Sequence, residues 1–204
     1  MDKINCSPKS WQEVQDYAKQ TTNKIKTTNF HPDLIIGLSR GGLVPARLFC
    51  DYLHIKTCYT IKVDHWGLTA TKDGQAKLTH KLNIDLTDKR ILIVDDITDT
   101  GQSMELAKEH IKELNPKEIK TATLLHIKTS KYKPDFYGEE IDWSWIIFPW
   151  NYREDLVNLI NKTNKKHHLE IQSELKTNFN LELKHEEILE LLEHIEYLNK
   201  REQI

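Results

Sequence analysis

The sequence predicts an α/β fold built on a parallel sheet that is flanked by helices. Short apolar runs alternate along the chain with stretches whose apolar residues recur at helical spacing, which is the pattern of strand–helix–strand units. The chain has 204 residues, of which 38% are hydrophobic and 29% are charged, a composition typical of globular proteins. A chain of this length can bury one sizeable core, with room for a small appendage.

The first predicted elements alternate as such a fold requires. A capping-box pattern at Ser10 and Glu13 precedes apolar residues at helical spacing, which predicts a helix of roughly four turns. Residues 33–38 form an apolar run between a proline and a glycine-bearing turn, so we expect a buried strand there. A helix over 43–53 and a strand rich in β-branched residues over 57–63 follow.

The rest of the chain adds a long loop, more strands and a helical tail. Residues 64–80 contain two glycines and many polar residues without a period, which predicts a long functional loop. The remaining predicted elements are strands over 81–86, 90–94, 119–127 and 143–148, and helices over 104–114, 156–162, 169–179 and 185–197. We therefore expect a main domain over 1–152 and a helical extension over 153–204.

Charge and cysteine content exclude several classes of protein. There are 29 Lys and Arg residues against 31 Asp and Glu, and the net charge of −2 argues against a dedicated nucleic-acid binder. We expect a cytoplasmic protein, because the first residues lack a signal-peptide core and no apolar run approaches the ~20 residues of a membrane span. Cys6, Cys50 and Cys58 form no CxxC pair, which favours free thiols over a disulfide framework or a zinc site.

The most informative segment spans residues 91–103. Four aliphatic residues predict a buried strand that ends in Asp95 and Asp96, at the sheet edge where α/β folds bind ligands. A glycine turn with hydroxyl side chains then leads into a helix, and such a turn can hold a phosphate. Carboxylates beside a phosphate site should accept hydrogen bonds from hydroxyls or hold a divalent cation. Together these groups fit a phosphorylated ribose.

This segment resembles the phosphoribosyl-pyrophosphate (PRPP) signature of the type I phosphoribosyltransferases, and in particular of their 6-oxopurine branch, the xanthine-guanine and hypoxanthine enzymes. The resemblance implies the fold of that family, a parallel helix-flanked sheet with a small hood, here followed by a helical C-terminal extension. It also implies that Asp95 and Asp96 bind the ribose hydroxyls and help to place a Mg²⁺ cofactor.

The same resemblance assigns roles to the turn that follows the two aspartates. It implies that Asp99 faces N7 of the base as general acid/base, a catalytic task that explains an acid beside a phosphate site. The residues it implies for binding the 5′-phosphate are Thr100, Gly101, Gln102 and Ser103.

A second glycine-containing loop, residues 37–45, matches neither the dinucleotide nor the P-loop spacing. Its glycines allow the backbone to approach an anion, and Arg40 supplies a forked cation. The loop resembles the pyrophosphate loop of bacterial xanthine-guanine phosphoribosyltransferase. That likeness implies pyrophosphate contacts from Ser39, Arg40 and Gly41, a catalytic role for Arg40, and an unusual Ser39–Arg40 peptide bond that can be cis.

The resemblance also supplies candidates for the base-binding side. Lys128 matches the lysine that contacts the purine O6, which disfavours a 6-amino group. Trp145 would stack on the base, and the backbone of Ile146 would read its edge. The 64–80 loop corresponds to the flexible catalytic loop, with His65 as a candidate contact.

The function that the resemblance implies is purine salvage. A 5-phosphoribosyl group would pass from PRPP to N9 of xanthine, guanine or hypoxanthine, giving a nucleoside 5′-monophosphate and pyrophosphate. The implied partners are PRPP and a purine base, in a homodimer or tetramer, without nucleic acid or membrane. A non-catalytic, PRPP-binding regulatory protein of the same fold stays open as the alternative. A pyrimidine or orotate enzyme is disfavoured by Asp99, Lys128 and Trp145 together.

Overall fold

The computed structural model describes residues 3–66 and 75–201 of the chain and divides into two compact units. The sheet unit is Trp11–Trp143, and the terminal unit combines Met1–Ser10 with Ser144–Ile204. Within the described residues, no helix is both long and apolar enough to cross a membrane. In chain order the elements are β1 (Cys6–Pro8), α1 (Trp11–Lys26), β2 (Leu34–Ser39), α2 (Leu43–Tyr52), β3 (Cys58–Trp66), β4 (Gln75–His80), β5 (Arg90–Thr98), α3 (Gln102–Lys112), β6 (Glu118–Ile127), β7 (Phe136–Ile141), β8 (Trp145–Ile147), α4 (Tyr152–Thr163), α5 (His168–Phe179) and α6 (His185–Arg201).

The sheet unit is built on a six-stranded sheet with the order β4-β3-β2-β5-β6-β7. Every neighbouring pair is parallel except the antiparallel hairpin of β3 and β4. Strand β2 and the Ile91–Val94 part of β5 are almost continuously apolar because parallel strands with helices on both faces have no solvent side. This arrangement brings the carboxyl ends of β2, β5 and β6 to one edge of the sheet.

Buried aliphatic side chains hold the helix α3 against the sheet. Met104, Ala107 and Ile111 recur at helical spacing and are 0–1% exposed. They pack in one cluster with Ile36 of β2 and Ile93 of β5. The cluster fixes the start of α3 directly beyond the end of β5.

The terminal unit has its own small sheet and its own core. Strands β1 and β8 pair in parallel, with Cys6 opposite Trp145 and Pro8 opposite Ile147. Helices α4, α5 and α6 supply most of the apolar cluster of this unit. Its most buried members are Ile147, Leu156, Leu159, Ile171, Leu175, Phe179 and Ile188.

The α/β class, the parallel sheet and the C-terminal helices confirm the fold predicted from the sequence. The predicted loop over 64–80 is wrong at both ends, since residues 58–66 and 75–80 form the β3–β4 hairpin, while residues 67–74 lie outside the described part. The strand predicted over 81–86 is also wrong, because the pairing ends at His80. The domain boundary predicted between residues 152 and 153 stays a prediction.

Candidate active site

Asp95 and Asp96 lie near the carboxyl end of β5. Asp96 is 8% exposed, and its backbone N–H donates a hydrogen bond of 3.0 Å to Oδ1 of Asp95. Burial, and then the neighbouring Asp96 charge, raise the pKa of Asp95 well above its ordinary value. A pair of carboxyl groups placed in this way favours hydroxyl donors or a cation over a second anion.

The turn after β5 has the geometry of an anion site. Gly101 has φ +85°, in the left-handed region, and is the N-cap residue of α3. As at the start of any helix, the first backbone N–H groups of α3 have no acceptor inside the helix and carry the positive end of its dipole. Asp99 and Thr100 are exposed beside this turn. The Oε1 of Gln102 accepts a hydrogen bond of 3.3 Å from the N–H of Ala76 on β4, a contact that the sequence did not predict.

The Arg40 loop, residues 39–42, lies directly against β5. A Cβ on Gly41 would come within 2.2 Å of Oδ2 of Asp96, so only a glycine permits this approach. The Ser39–Arg40 peptide bond is cis, which confirms the possibility that the resemblance raised. The loop therefore places the start of α2 and the Asp96 carboxylate side by side.

Strand β3 adds charges beside the Arg40 loop that the sequence analysis missed. Lys62 is the register partner of Ser39, and its Nζ lies 3.0 Å from Oδ1 of Asp64. The hydroxyl of Thr79 donates a hydrogen bond of 2.7 Å to Asp64. The Thr79 hydrogen bond, the Lys62 hydrogen bond and, more weakly, the Arg40 charge lower the pKa of Asp64. In the sequence, Lys62 and Asp64 alternate with apolar residues, and this pattern could have indicated that both charges lie on the same face of β3.

A row of three polar side chains crosses neighbouring strands at the end of β5. Thr98 of β5, His126 of β6 and Glu140 of β7 are successive register partners. The Thr98 hydroxyl and His126 Nδ1 are 2.9 Å apart, and His126 Nε2 lies 3.9 Å from Glu140. Burial lowers the pKa of His126, which favours the neutral ring, and Nδ1 of that ring shares a hydrogen bond with the Thr98 hydroxyl. The row fixes the last residue of β5.

Lys128 follows β6 at the same edge of the sheet. Its backbone N–H donates to the carbonyl of Ile141 at 3.0 Å, and its Nζ contacts Asp142 at 2.9 Å. The segment after Lys128 lies close to the turn at Gly101, because a Cβ on Gly101 would lie 2.3 Å from Cβ of Tyr132. The loops after β5 and β6 are therefore neighbours.

Trp145 and Ile146 belong to β8 of the terminal unit, opposite Cys6 and Ser7. The indole Nε1 of Trp145 is buried and has no hydrogen-bond partner among the described residues. The side chain of His65 lies outside the described part of the chain.

Most of the predicted site residues thus share one edge of the sheet. Within the sheet unit, the predicted residues at the ends of β2, β5 and β6 are Ser39, Arg40, Gly41, Asp95, Asp96, Asp99, Thr100, Gly101, Gln102, Ser103 and Lys128. Over residues 3–66 and 75–201, no group of three or more His, Cys, Asp or Glu side chains is arranged to hold a metal ion by itself.

Comparison with known families agrees with this geometry. The family model of the phosphoribosyl transferase domain matches residues 1–155. The chain belongs to the phosphoribosyltransferase family. As a member it is a phosphoribosyltransferase enzyme, and the matched residues include the Arg40 loop, the aspartate pair and the turn at Gly101.

Individual relatives also match most of the chain. The hypoxanthine-guanine phosphoribosyltransferase of Schizosaccharomyces pombe is 27% identical over 183 residues, covering 71% of this chain and 88% of that protein. The structure of a purine phosphoribosyltransferase from Pyrococcus horikoshii is 33% identical with a TM-score of 0.63, covering 72% of this chain and 94% of that one. A Helicobacter pylori xanthine-guanine-hypoxanthine phosphoribosyltransferase shares the fold at 22% identity and a TM-score of 0.62, covering 78% of this chain and 99% of that one.

Proposed function

We propose that this phosphoribosyltransferase transfers the 5-phosphoribosyl group of PRPP to N9 of a 6-oxopurine in purine salvage. The observation that carries the proposal is that three features lie at one sheet edge: the Asp95–Asp96 pair, the Gly101 turn at the start of α3, and the Arg40 loop. They suit the ribose, the 5′-phosphate and the pyrophosphate of PRPP, respectively. Similarity to the Pyrococcus purine phosphoribosyltransferase and to the Schizosaccharomyces hypoxanthine-guanine phosphoribosyltransferase supports a purine base as the acceptor.

The chain would bind PRPP through local charges, since its net charge is −2. The 5′-phosphate would lie at the start of α3, held by the N–H groups and hydroxyls of residues 100–103. The ribose hydroxyls would donate to Asp95 and Asp96. Ser39, Arg40 and Gly41 would bind the pyrophosphate, where the Arg40 guanidinium offers forked donors.

The aspartate pair fits a Mg²⁺ ion. Mg²⁺ is held in many phosphate-binding enzymes by one or two carboxylates, water and substrate phosphates, so two aspartates are sufficient. Burial and the neighbouring Asp96 charge raise the pKa of Asp95, and a cation bound to the pair would favour its ionised form. When bound, Mg²⁺ would neutralise charge on the pyrophosphate.

The resemblance to the 6-oxopurine enzymes is the basis for the proposed base-binding residues. We assign the O6 contact to Lys128, whose Nζ must then be shared with or released from Asp142. Trp145 would stack on the purine and the Ile146 backbone would read its edge. Asp99, exposed beyond the end of β5, would exchange a proton with N7.

The proposed reaction needs no covalent intermediate. N9 forms a bond to C1′ as the bond from C1′ to pyrophosphate breaks, so catalysis depends on alignment and on charge stabilisation. Arg40 would stabilise the charge that develops on the leaving pyrophosphate. Asp99 would accept the proton that the base must lose on forming the nucleotide. A homodimer or tetramer is proposed from the family resemblance, and sedimentation velocity would measure it.

The test is to incubate the chain with PRPP, Mg²⁺ and each of hypoxanthine, guanine, xanthine and adenine, and to measure nucleotide formation. We expect product with at least one 6-oxopurine and a much lower kcat/KM with adenine. Saturable PRPP binding without nucleotide from any base would instead favour the regulatory alternative.

The substitution Asp99→Asn tests the acid/base role within this reaction. We expect kcat to fall by about 100-fold or more while PRPP affinity changes little, because proton transfer by a positioned group contributes about 10²–10⁴-fold. The matched control is Asp51→Asn, which changes an exposed aspartate on α2. An equal loss of kcat and of PRPP affinity in Asp99→Asn would contradict the assignment.

A further inference from the structure

Lys62 and Asp64 of β3 form an ion pair beside the Arg40 loop. Lys62 is the register partner of Ser39, the first residue of that loop, so the two side chains lie on the same face of neighbouring parallel strands. Such strands are about 4.8 Å apart, a distance that a lysine side chain spans. The Lys62 ammonium group can therefore reach an anion bound at residues 39–41.

A β-bulge in the β3–β4 hairpin fixes the Asp64 carboxylate. The register of the hairpin shifts between Lys62 and Val63, which leaves Thr79 as an extra residue of β4. A bulge changes the direction of the side chain that it carries. Here the Thr79 hydroxyl donates a hydrogen bond of 2.7 Å to Oδ2 of Asp64, and Nζ of Lys62 lies 3.0 Å from Oδ1. Both carboxylate oxygens therefore have a donor.

The Asp64 carboxylate lies among positive charges. Lys77 is its register partner on β4, so both side chains lie on one face of the hairpin. The hydrogen bonds from Thr79 and Lys62 lower the pKa of Asp64, so the carboxylate is ionised at neutral pH. The charge of Arg40 acts in the same direction. Three cationic side chains and one carboxylate therefore share this part of the sheet edge.

We propose that Asp64 competes with pyrophosphate for Lys62 and thereby sets the affinity for that anion. The inference rests on the proposed transferase function, because that function supplies pyrophosphate at residues 39–41. The Lys62 and Asp64 side chains are 46% and 39% exposed, and exposed ion pairs of this kind contribute little to stability. An anion with several charges can therefore displace the carboxylate, and Asp64 binds Lys62 again when pyrophosphate leaves.

The experiment measures the binding of magnesium pyrophosphate to the full chain by isothermal titration calorimetry, without a purine base. Asp64→Asn keeps the shape of the side chain and an acceptor for Thr79 but removes the charge. We expect the dissociation constant to fall about threefold, which is the effect of one unit charge about 6 Å away in water. Lys62→Met should raise it about tenfold, because a charge-assisted hydrogen bond is lost.

The double variant tests whether Asp64 acts through Lys62. In the Lys62→Met background, Asp64→Asn should change the dissociation constant little, because no ammonium group is left to compete for. An equal effect of Asp64→Asn in both backgrounds would show direct repulsion of the anion and would overturn the proposal. Unchanged or weaker binding by the single variant Asp64→Asn would overturn it as well.

Lys56→Met and Asp85→Asn are matched controls at the amino end of the sheet. Both residues are exposed, and they precede β3 and β5, respectively. Like Asp64, Asp85 accepts a hydrogen bond from a threonine, here from the backbone N–H of Thr87 at 2.9 Å. Neither control should change the dissociation constant of pyrophosphate.

A separate assay of nucleotide formation distinguishes this inference from the proposed function. If the wild type forms nucleotide while Lys62→Met binds pyrophosphate as tightly as the wild type, the inference alone fails. If no base gives nucleotide but the variants shift pyrophosphate binding as expected, the transferase proposal fails and the competition at Lys62 stands. A wild-type chain that does not bind pyrophosphate overturns the inference.

Discussion

Two strand–turn–helix units lie side by side in the sheet, and they use glycine for different physical reasons. In the β2–α2 unit, Gly42 has φ −71°, which any residue can adopt, yet a Cβ there would lie 2.5 Å from the Val94 carbonyl oxygen. In the β5–α3 unit, Gly101 has φ +85°, which few L-residues adopt. The first glycine provides space and the second provides a backbone conformation.

This difference follows from the groups that each turn places at the sheet edge. The β2–α2 turn packs against β5, so the backbone at Gly41 must pass close to Asp96. The β5–α3 turn must point its N–H groups away from its own strand, which a left-handed residue at the N-cap allows. The same element order therefore presents a cationic side chain, Arg40, in one unit and the N–H groups of a helix start in the other.

The largest effect is expected from Gly42→Ala. The added methyl group would lie within 2.8 Å of the carbonyl oxygens of both Val94 and Leu38, and backbone atoms in a buried sheet cannot easily move away. We expect a loss of about 3 kcal/mol in the free energy of unfolding, at the upper end of overpacking costs, measured by urea denaturation. A loss below about 1 kcal/mol would show that the turn has space to relax.

Gly41→Ala is the matched neighbour, and it should lower activity more than stability. Its methyl group would meet the Asp96 carboxylate rather than backbone. Displacing a positioned binding group by about 1 Å can reduce turnover about 100-fold, so kcat/KM should fall by that order. Equal losses of stability in Gly41→Ala and Gly42→Ala would contradict the distinction.

Gly101→Ala should have a smaller effect on stability than Gly42→Ala. Left-handed backbone costs an L-residue about 1–2 kcal/mol, and the methyl group would also press on Cβ of Tyr132. We expect a loss of about 2 kcal/mol in urea denaturation.

Gly101→Asn is the control for that prediction. Asparagine tolerates this conformation, and Asn115, Asn164 and Asn180 adopt it elsewhere in this chain. The asparagine variant should therefore lose less stability than the alanine variant. Equal losses would assign the cost to Tyr132 rather than to φ.

The sequence revealed the parts of the site that depend on neighbours in the chain. The aspartate pair, the Gly101 turn and the Arg40 loop are each contiguous, and the structure gives them the predicted strand–turn–helix context. The edge strands β4 and β7 were missed because edges carry polar residues, as in QAKLTH and FYGEEI, so their hydrophobic signal is weak.

The contacts that depend on register could not be predicted from a single sequence. The Thr98–His126 hydrogen bond joins residues on different strands, and the approach of Tyr132 to Gly101 depends on how the loop after β6 folds. A one-residue shift of β6 would turn His126 to the other face of the sheet.

Thr98→Val tests that register contact. The substitution keeps the shape of the side chain and leaves Nδ1 of the buried His126 without its hydrogen-bond partner, so we expect a loss of about 1–2 kcal/mol in urea denaturation. Thr60→Val, an exposed change on β3, should be nearly neutral. An equally small effect in Thr98→Val would show that His126 finds another hydrogen-bond partner.

The smallest effect is expected at the amino end of the β2–β5 pair, where an ion pair joins the two strands. Asp33 precedes β2, and its carboxylate accepts hydrogen bonds from the backbone N–H of Arg90 at 2.7 Å and from the guanidinium at 3.0 Å. The Arg90 hydrogen bonds lower the pKa of Asp33 to about 2. The two side chains are 33% and 35% exposed, so solvent screening reduces the contribution, and Asp33→Asn should cost about 1 kcal/mol at pH 7.

The pH dependence distinguishes charge from packing at this position. Because the pKa of Asp33 is lower in the folded chain than the usual 3.8, its stabilising effect is present above about pH 4 and is lost as the pH falls toward 2. The difference between the wild type and Asp33→Asn in urea denaturation should therefore shrink between pH 4 and pH 2. A difference that stays constant over that range would show that the lost contact is neutral hydrogen bonding rather than an ion pair.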